Sequence, residues 1–189
     1  MDDKNIRNFD DDLISSNNPK LRESWERIFK LKFGNDCEIF WKDDLNVQKG
    51  LGIDTTIKTK QGRRYSIEIK TRKKSCFGKD WIMEIVHQHY DKEDKETRKH
   101  LGKKEGWIYT TTADYIFHGT LNSDGTDLIE VIFYSLYPFK NEVWKSEFEK
   151  YPNFWWKTQF TDKFQLTLNK EIPKEVIKED ALEFWEWTK

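Results

Sequence analysis

Hydrophobic and polar residues alternate through the central part of the chain, and this alternation predicts a β-hairpin. The outgoing strand covers residues 53–59, the turn residues 60–62, and the returning strand residues 63–71. In the returning strand the odd-numbered residues from 65 to 69 are apolar. They fall on one face, because successive strand side chains point to opposite faces. The hairpin is therefore expected to bury one face and to present polar groups on the other.

The polar face of this hairpin carries the strongest chemical signal in the sequence. Equal counting from Gln61 along both strands places Asp54 opposite Glu68, and cross-strand partners have Cβ atoms about 4.5–5.5 Å apart. Lys70 lies on the same strand face as Glu68. Two carboxylates and an ammonium group thus converge at one sheet edge, which predicts a divalent-metal site with a cationic helper. The competing interpretation is a solvated strand face in a highly charged chain.

Helical spacing of apolar residues predicts a first helix that begins at Pro19 and ends at Gly34. Asn18 is its expected N-cap, and proline is favoured at the first helical position. The apolar face of this helix consists of Leu21, Trp25, Ile28, Phe29 and Phe33. A short strand is expected to follow at residues 37–41.

The rest of the chain alternates between strand and helix signals. Strands are predicted at residues 81–86 and 106–110, a second hairpin at 113–118 and 128–136, and helices at 142–151 and 173–188. The highly charged segment 91–104 reads as a solvated loop or an exposed helix. This order predicts one α/β or α+β domain with a mixed sheet.

Composition narrows the class of protein. The 189 residues fit a single domain over residues 19–189, preceded by a flexible polar arm over residues 1–18. Charged residues make up 35% of the chain, but nine Trp and thirteen Phe supply enough apolar area for a folded core. The net charge of −1 excludes a global basic field, so any nucleic-acid contact must come from a local patch.

Two cysteines, Cys37 and Cys76, are too few for a disulfide framework. The chain has no secretory signal and no apolar run of membrane length. The sequence therefore predicts a cytoplasmic protein that has no membrane partner.

In the sequence Asp54 is followed, after thirteen residues, by Glu68-Ile69-Lys70. This spacing resembles the motif of the PD-(D/E)xK nuclease superfamily. The similarity covers about residues 19–118 and looks like the compact members found in phages and mobile elements. The blocks that carry it are Gln48, Gly52-Ile53-Asp54, Glu68-Ile69-Lys70-Thr71-Arg72, Gly106-Trp107-Ile108 and Ala113-Asp114-Tyr115-Ile116. One departure is Ile53, which stands where the family name has proline.

The resemblance implies an α/β, restriction-endonuclease-like mixed sheet flanked by helices, and metal-dependent hydrolysis of DNA phosphodiester bonds. Asp54, Glu68 and the backbone carbonyl of Ile69 are hard oxygen ligands that suit Mg²⁺, for which Mn²⁺ would substitute. Lys70 would orient or deprotonate the attacking water, or contact the phosphate. The family also implies a glutamate from the first helix, and Glu26 is the candidate because it borders the buried helix face.

A local basic patch accompanies this motif. The residues expected to contact nucleic acid are Arg64, Arg72, Lys73 and Lys74, with Gln48 at the rim of the site. For Lys58, Lys60 and Arg63 a phosphate-binding role and a merely soluble hairpin tip are equally compatible with the sequence. DNA is the expected partner and RNA the alternative. A homodimer would serve the cutting of both strands, and a phage protein of this kind would act in the host cytoplasm.

Several other polar residues have weaker signals. Glu84 fits either a supporting carboxylate or a surface position. His87 and His89 share a strand face, but with Cys76 as the nearby thiol a zinc site is incomplete. Asp114 is expected to have a turn or capping role. The aromatic pair before Lys157 would stack on bases or complete a core.

The alternative to a nuclease is a non-catalytic module on the same fold that binds nucleic acid or another protein. The intact combination of Asp54, Glu68 and Lys70 favours the enzyme.

Overall fold

The computed structural model describes residues 18–43, 51–73, 81–90, 100–140, 156–160 and 165–189. For residues 73, 81–90, 100–105, 156–160 and 165–172 it describes the backbone alone. The expected arm before residue 18, the expected helix at 142–151, and Gln48, Lys74 and Cys76 lie outside the described residues.

The described chain is an α/β structure with ten strands and a few short helices. The strands are β1 (Glu38–Trp41), β2 (Thr55–Lys58), β3 (Arg64–Lys73), β4 (Trp81–Tyr90), β5 (His100–Glu105), β6 (Tyr115–Leu121), β7 (Leu128–Ser135), β8 (Trp156–Phe160), β9 (Gln165–Ile172) and β10 (Phe184–Thr188). The helices are α1 (Pro19–Phe33), α2 (Trp107–Thr110) and α3 (Lys174–Asp180), and a 3-10 turn covers Tyr137–Lys140.

The larger sheet has six strands in the order β1-β2-β3-β6-β7-β10. β3 and β6 are parallel, and every other neighbouring pair in this sheet is antiparallel. The mixed sheet predicted from the sequence is thereby confirmed. β3 lies in the interior of the sheet, so the residues of the candidate site are held by hydrogen bonds on both sides of this strand.

A second sheet of four antiparallel strands has the order β5-β4-β9-β8. The strand predicted at 81–86 is present and extends to Tyr90. The charged segment differs from expectation, because His100–Glu105 is not a loop or helix but an edge strand paired with β4. Charged side chains are common on edge strands, where they discourage pairing with other chains.

The first helix agrees with its sequence signals. The side chain of Asn18 accepts a hydrogen bond from the backbone N of Lys20 (3.0 Å), as an N-cap does. At the other end Gly34 has φ of 96°, a backbone conformation that favours glycine, and its N–H bonds to the carbonyl of Lys30. Local capping therefore accounts for both ends of α1.

α1 covers one face of the six-stranded sheet. The buried residues of this layer are Leu21, Trp25, Ile28, Phe29, Ile57, Tyr65, Ile67, Leu121, Phe117, Leu128, Val131 and Phe133. The rings of Phe29 and Phe117 have centroids 5.1 Å apart, which joins the helix directly to β6. The odd-numbered residues of β3 face this helical layer.

The opposite face is covered by α2, α3 and the 3-10 turn. Ile108, Phe139 and Ile177 from these segments are buried with Ile116 and Tyr134 of the sheet. Ile116 is paired with Glu68 across the parallel ladder, so Glu68 lies on this second face.

Two predicted elements are wrong. Residues 106–110 were expected to form a strand, but Trp107–Thr110 is a single helical turn that buries Ile108. A short apolar run is compatible with either a strand or a helix. Here the packing of this segment against the second face of the six-stranded sheet favours the helix. The predicted helix at 173–188 ends at Asp180, and Phe184–Thr188 instead pairs with β7. Its aromatic residues favour a strand once a partner edge is available.

The second hairpin is confirmed as β6 and β7, joined through a turn in which Gly125 has φ of 76°. None of the helices that the structure describes is both long enough and apolar enough to cross a membrane.

Candidate functional site

The β2–β3 hairpin brings the two predicted carboxylates together just beyond its last residue pair. The pairs run from Lys58 and Arg64 to Thr55 and Ile67, and Asp54 and Glu68 are the residues that follow. The backbone N of Asp54 donates to the carbonyl of Ile67 (2.9 Å), so Asp54 stays bonded to β3, one residue out of the register of the ladder. The register counted from the sequence is confirmed for residues 55–58 and 64–67.

The carboxylate of Asp54 is held against β3. Its Oδ2 accepts a hydrogen bond from the backbone N of Ile69 (2.7 Å). In an extended strand the N–H and carbonyl of one residue point to the same side. The Ile69 carbonyl is therefore directed towards the strand edge where Asp54 lies. Burial raises the pKa of Asp54, while the charge of Lys70 and the bond from Ile69 act in the opposite direction.

Glu68 is almost fully buried, with 5% of its surface exposed. Its Oε1 accepts a hydrogen bond from Nζ of Lys70. Its Oε2 is also buried and has no hydrogen-bond partner among the described residues. An orphaned buried acceptor is unfavourable. This oxygen is therefore suited to a cation.

Burial raises the pKa of Glu68 to about 7. The positive charges of Lys70 and Lys140 oppose this rise, and the negative charge of Asp54 adds to it. Glu68 thus exchanges a proton near neutral pH.

Lys70 is held between the acidic pair and an aromatic ring. Its Nζ lies 5.0 Å from the ring centroid of Trp107, within the range of a cation–π interaction. Trp107 comes from α2, the turn that the sequence predicted as a strand, so its place beside Lys70 was not anticipated.

His118 is a second residue that sequence reasoning missed. It pairs with Lys70 across the β3–β6 ladder and lies fully buried, with Nδ1 3.4 Å from the hydroxyl of Tyr134. Burial, reinforced by the charges of Arg72 and Lys70, holds the pKa of His118 well below its ordinary value. His118 is therefore a neutral neighbour of the site. Only the parallel pairing of β3 with β6 could have revealed it.

Lys140 reaches the same region from the 3-10 turn. Its Nζ donates to the carbonyls of Thr111 (2.8 Å) and Ala113 (2.7 Å). Burial lowers the pKa of Lys140, and the charges of Asp114 and Glu68 partly offset this. No sequence signal connected Lys140 with the hairpin.

Glu26 is not brought to this group, contrary to expectation. α1 packs on the face of Ile67, whereas Glu68 lies on the other face of the sheet. Oε1 of Glu26 instead accepts a hydrogen bond from Nε1 of Trp41 (3.0 Å). Glu26 borders the buried face of the helix as predicted, but this position does not place its carboxylate beside Asp54 and Glu68.

Two of the predicted nucleic-acid contacts lie on the face of β3 that carries Glu68. Arg64 is exposed near the hairpin turn, and Arg72 donates from Nε to Oγ1 of Thr120 (3.5 Å). For Lys73 only the backbone is described, paired with Leu121. Gln48 and Lys74 lie outside the described residues.

The cations at the hairpin tip have acidic partners. The ion pairs are Lys58–Glu38 (2.6 Å), Lys60–Asp36 (3.0 Å) and Arg63–Glu183 (3.4 Å). Such exposed pairs contribute little stability. They favour the interpretation of the tip as a solvated surface.

Asp114 was expected to have a turn or capping role, and its contacts lie instead across the sheet, to Ser66 of β3. Its Oδ2 accepts from the hydroxyl of Ser66 (2.5 Å), and its backbone N donates to the carbonyl of Ser66 (3.1 Å). These bonds fasten the start of β6 to β3. Glu84, His87 and His89 lie in β4, and Trp156 and Lys157 in β8, where only the backbone is described.

Among the residues that the structure describes, no three His, Cys, Asp or Glu side chains are grouped as metal ligands. A cation at Asp54 and Glu68 would therefore rely on these two carboxylates and on backbone or solvent oxygens. Comparisons of the chain with protein-family models, with curated proteins and with solved structures find no match.

Proposed function

We propose that the protein is a metal-dependent nuclease that hydrolyses DNA phosphodiester bonds, on a restriction-endonuclease-like version of the mixed sheet. The observation that carries this proposal is the geometry of β2 and β3. Asp54 and Glu68 directly follow the last residue pair of the hairpin, Lys70 contacts Glu68, and one buried oxygen of Glu68 has no donor among the described residues.

The residues present fit a hard divalent cation. The two carboxylates and the carbonyl of Ile69 are all oxygen donors, the type that Mg²⁺ and Mn²⁺ prefer. Mg²⁺ commonly keeps several waters and takes one or two carboxylates together with substrate phosphate, so a site with two acidic residues is sufficient. Bound there, the cation would stabilise negative charge on the reacting phosphate and lower the pKa of a bound water.

The side chains of the chain itself have separable roles in this mechanism. Glu68 must lose its proton to act as a ligand. The ammonium of Lys70 lies beside Glu68 and is restrained by Trp107. From that position it would donate a hydrogen bond to the attacking water or to a phosphate oxygen, which stabilises the charge that develops in the transition state.

Cations on the same sheet face supply the basis for DNA binding. Arg64 and Arg72 flank the acidic pair along β3, and Lys73, Lys74 and Gln48 remain predicted contacts. Phosphate contacts of this kind release counterions, so binding should weaken steeply as salt increases.

The first test is cleavage of supercoiled, linear and branched DNA, and of single-stranded RNA, with Mg²⁺ or Mn²⁺. Asp54→Asn and Lys70→Met should each lower cleavage on the order of 100-fold or more, because each removes a group that acts in the transition state. Lys58→Met is the matched control, since Lys58 lies on the same hairpin but pairs with exposed Glu38. It should retain activity.

Calorimetry with Mn²⁺ separates the enzyme from a binding module. The wild-type protein should bind Mn²⁺, and Asp54→Asn should not. Equal cleavage by wild type and both site variants would refute the assignment of the site. Nucleic-acid binding without Mn²⁺ affinity or cleavage would instead identify an interaction module, and cleavage confined to RNA would change the substrate class.

A further inference from the structure

Lys140 is anchored to the loop between α2 and β6. Its Nζ donates hydrogen bonds to the carbonyls of Thr111 and Ala113, at 2.8 and 2.7 Å. The side chain is half-buried, so these charge-assisted bonds are less exposed to competition from water than a surface lysine would be. The ammonium therefore fixes both ends of a three-residue segment.

The same loop is tied to the segment that leads into Asp54. The hydroxyl of Thr111 donates to the carbonyl of Gly52 (2.6 Å). The backbone N and the hydroxyl of Thr112 both donate to the carbonyl of Leu51, at 2.7 and 2.8 Å. The two carbonyls held in this way stand three and two residues before Asp54.

Contact between the two segments is close enough to require glycine. Gly52 has φ of 60°, and a Cβ there would lie 2.7 Å from Cβ of Thr111. Neither the backbone conformation nor the space would accept a larger residue without movement. The position of the loop is therefore transmitted to the backbone just before Asp54.

We propose that Lys140 is a positioning residue of the candidate metal centre, which holds Asp54 in place through the 111–113 loop. This inference rests on the proposed nuclease function for its consequence in catalysis. Its structural content, the placement of Asp54, can be measured independently of activity.

The test compares Lys140→Met, which keeps the length of the side chain but removes the ammonium, with Lys140→Arg, which keeps the charge. Mn²⁺ affinity by calorimetry and DNA cleavage should each fall about 10- to 100-fold in the Met variant, as is usual for residues that support metal ligands. The Arg variant should recover most of both. Lys174→Met is the control, because Lys174 is also half-buried but pairs with Glu130 and Glu186.

The hydrogen-exchange rate of the Ile69 amide distinguishes a positioning role of Lys140 from a general effect on stability. If Lys140 only stabilised the fold, its replacement would not change this rate selectively. This amide donates to Oδ2 of Asp54, so displacement of Asp54 should accelerate its exchange relative to amides in β6 and β7. We expect faster exchange in Lys140→Met and no selective change in Lys174→Met. Should Lys140→Met not fold, Thr111→Val cuts the link to Gly52 while leaving Lys140 intact, and it should give the same signature.

Unchanged Mn²⁺ affinity and unchanged Ile69 exchange in Lys140→Met, or in Thr111→Val where that variant replaces it, would overturn the inference. Failure of the wild-type protein to bind Mn²⁺ or cleave nucleic acid would instead refute the proposed function. In that case the Ile69 amide alone would decide whether Lys140 positions Asp54.

Discussion

Among the acidic residues that the structure describes, Glu68 has a buried side chain. This burial determines how readily its carboxyl group loses a proton. A carboxyl group removed from water favours its neutral form, and the nearby charge of Asp54 strengthens that preference. Lys70 and Lys140 only partly compensate. The fold therefore holds a group with a pKa of about 7 in a position where a cation would favour its ionised form.

The pH dependence of stability should reveal this residue in the metal-free protein. The pKa of Glu68 is raised from 4.5 to about 7, so its contribution to stability is fully present below pH 4.5 and is lost as the pH rises through 7. Relative to Glu68→Gln, the wild-type protein should lose up to about 3 kcal/mol of unfolding free energy between pH 4.5 and 8. Urea unfolding of both proteins with a chelator present measures this difference.

Parallel stability curves for the two proteins would show that Glu68 does not titrate in this range. Addition of Mn²⁺ at pH 8 provides a control, because a ligand that binds the folded state stabilises it. This stabilisation should be present in the wild-type protein and absent in Glu68→Gln.

At the scale of elements, the closeness of α1 to the sheet depends on one glycine in β6. A Cβ at Gly119 would lie 2.5 Å from Cδ2 of Leu128 and 2.7 Å from the ring of Trp25. The indole ring of α1 thus rests directly on the backbone of the strand beside β3.

Gly119→Ala should therefore destabilise the protein by about 1–3 kcal/mol, because an added methyl group forces a tightly packed layer apart. Denaturant unfolding measures the change. Leu31→Ala on the exposed side of α1 is the control and should change stability by less than about 0.5 kcal/mol. A neutral effect of Gly119→Ala would mean that α1 does not pack this closely.

At the scale of the whole molecule, Asp127 connects three distant parts of the chain. Its Oδ1 accepts from the hydroxyl of Ser24 and from Arg27 of α1, and its Oδ2 accepts from Nζ of Lys189 after β10, each at 2.7 Å. Burial favours a higher pKa for Asp127, but the hydrogen bonds from Lys189, Ser24 and Arg27 outweigh it and hold the pKa well below its ordinary range.

Asp127→Ala should lower the free energy of unfolding by about 1–2 kcal/mol at neutral pH, because it removes several charge-assisted hydrogen bonds at once. The partners Arg27 and Lys189 are more than half exposed, so the effect should shrink at high salt. Asp124→Ala in the same turn is the control. Its side chain bonds to Thr126 and Asn122, which lie in the same turn, so its loss should cost less.

Features that depend on residues close together in the chain could be predicted before the fold was known. The caps of α1 at Asn18 and Gly34 were readable because they satisfy local backbone groups. The closeness of Asp54 and Glu68 was predictable because a tight turn with φ of 82° at Gly62 sets the register of the residue pairs that lead up to them. The central pair of the candidate site therefore followed from a local pattern.

The groups that surround that pair became known only from the way the elements pack together. It placed α1 on the opposite sheet face, away from Glu68, and turned the aromatic tail 184–188 into an edge strand beside β7. It also brought Lys140 and Trp107 to the acidic pair from segments distant in the chain. The physical reason is that these contacts arise from packing between elements, whose energy depends on the faces that meet and not on the spacing within one element.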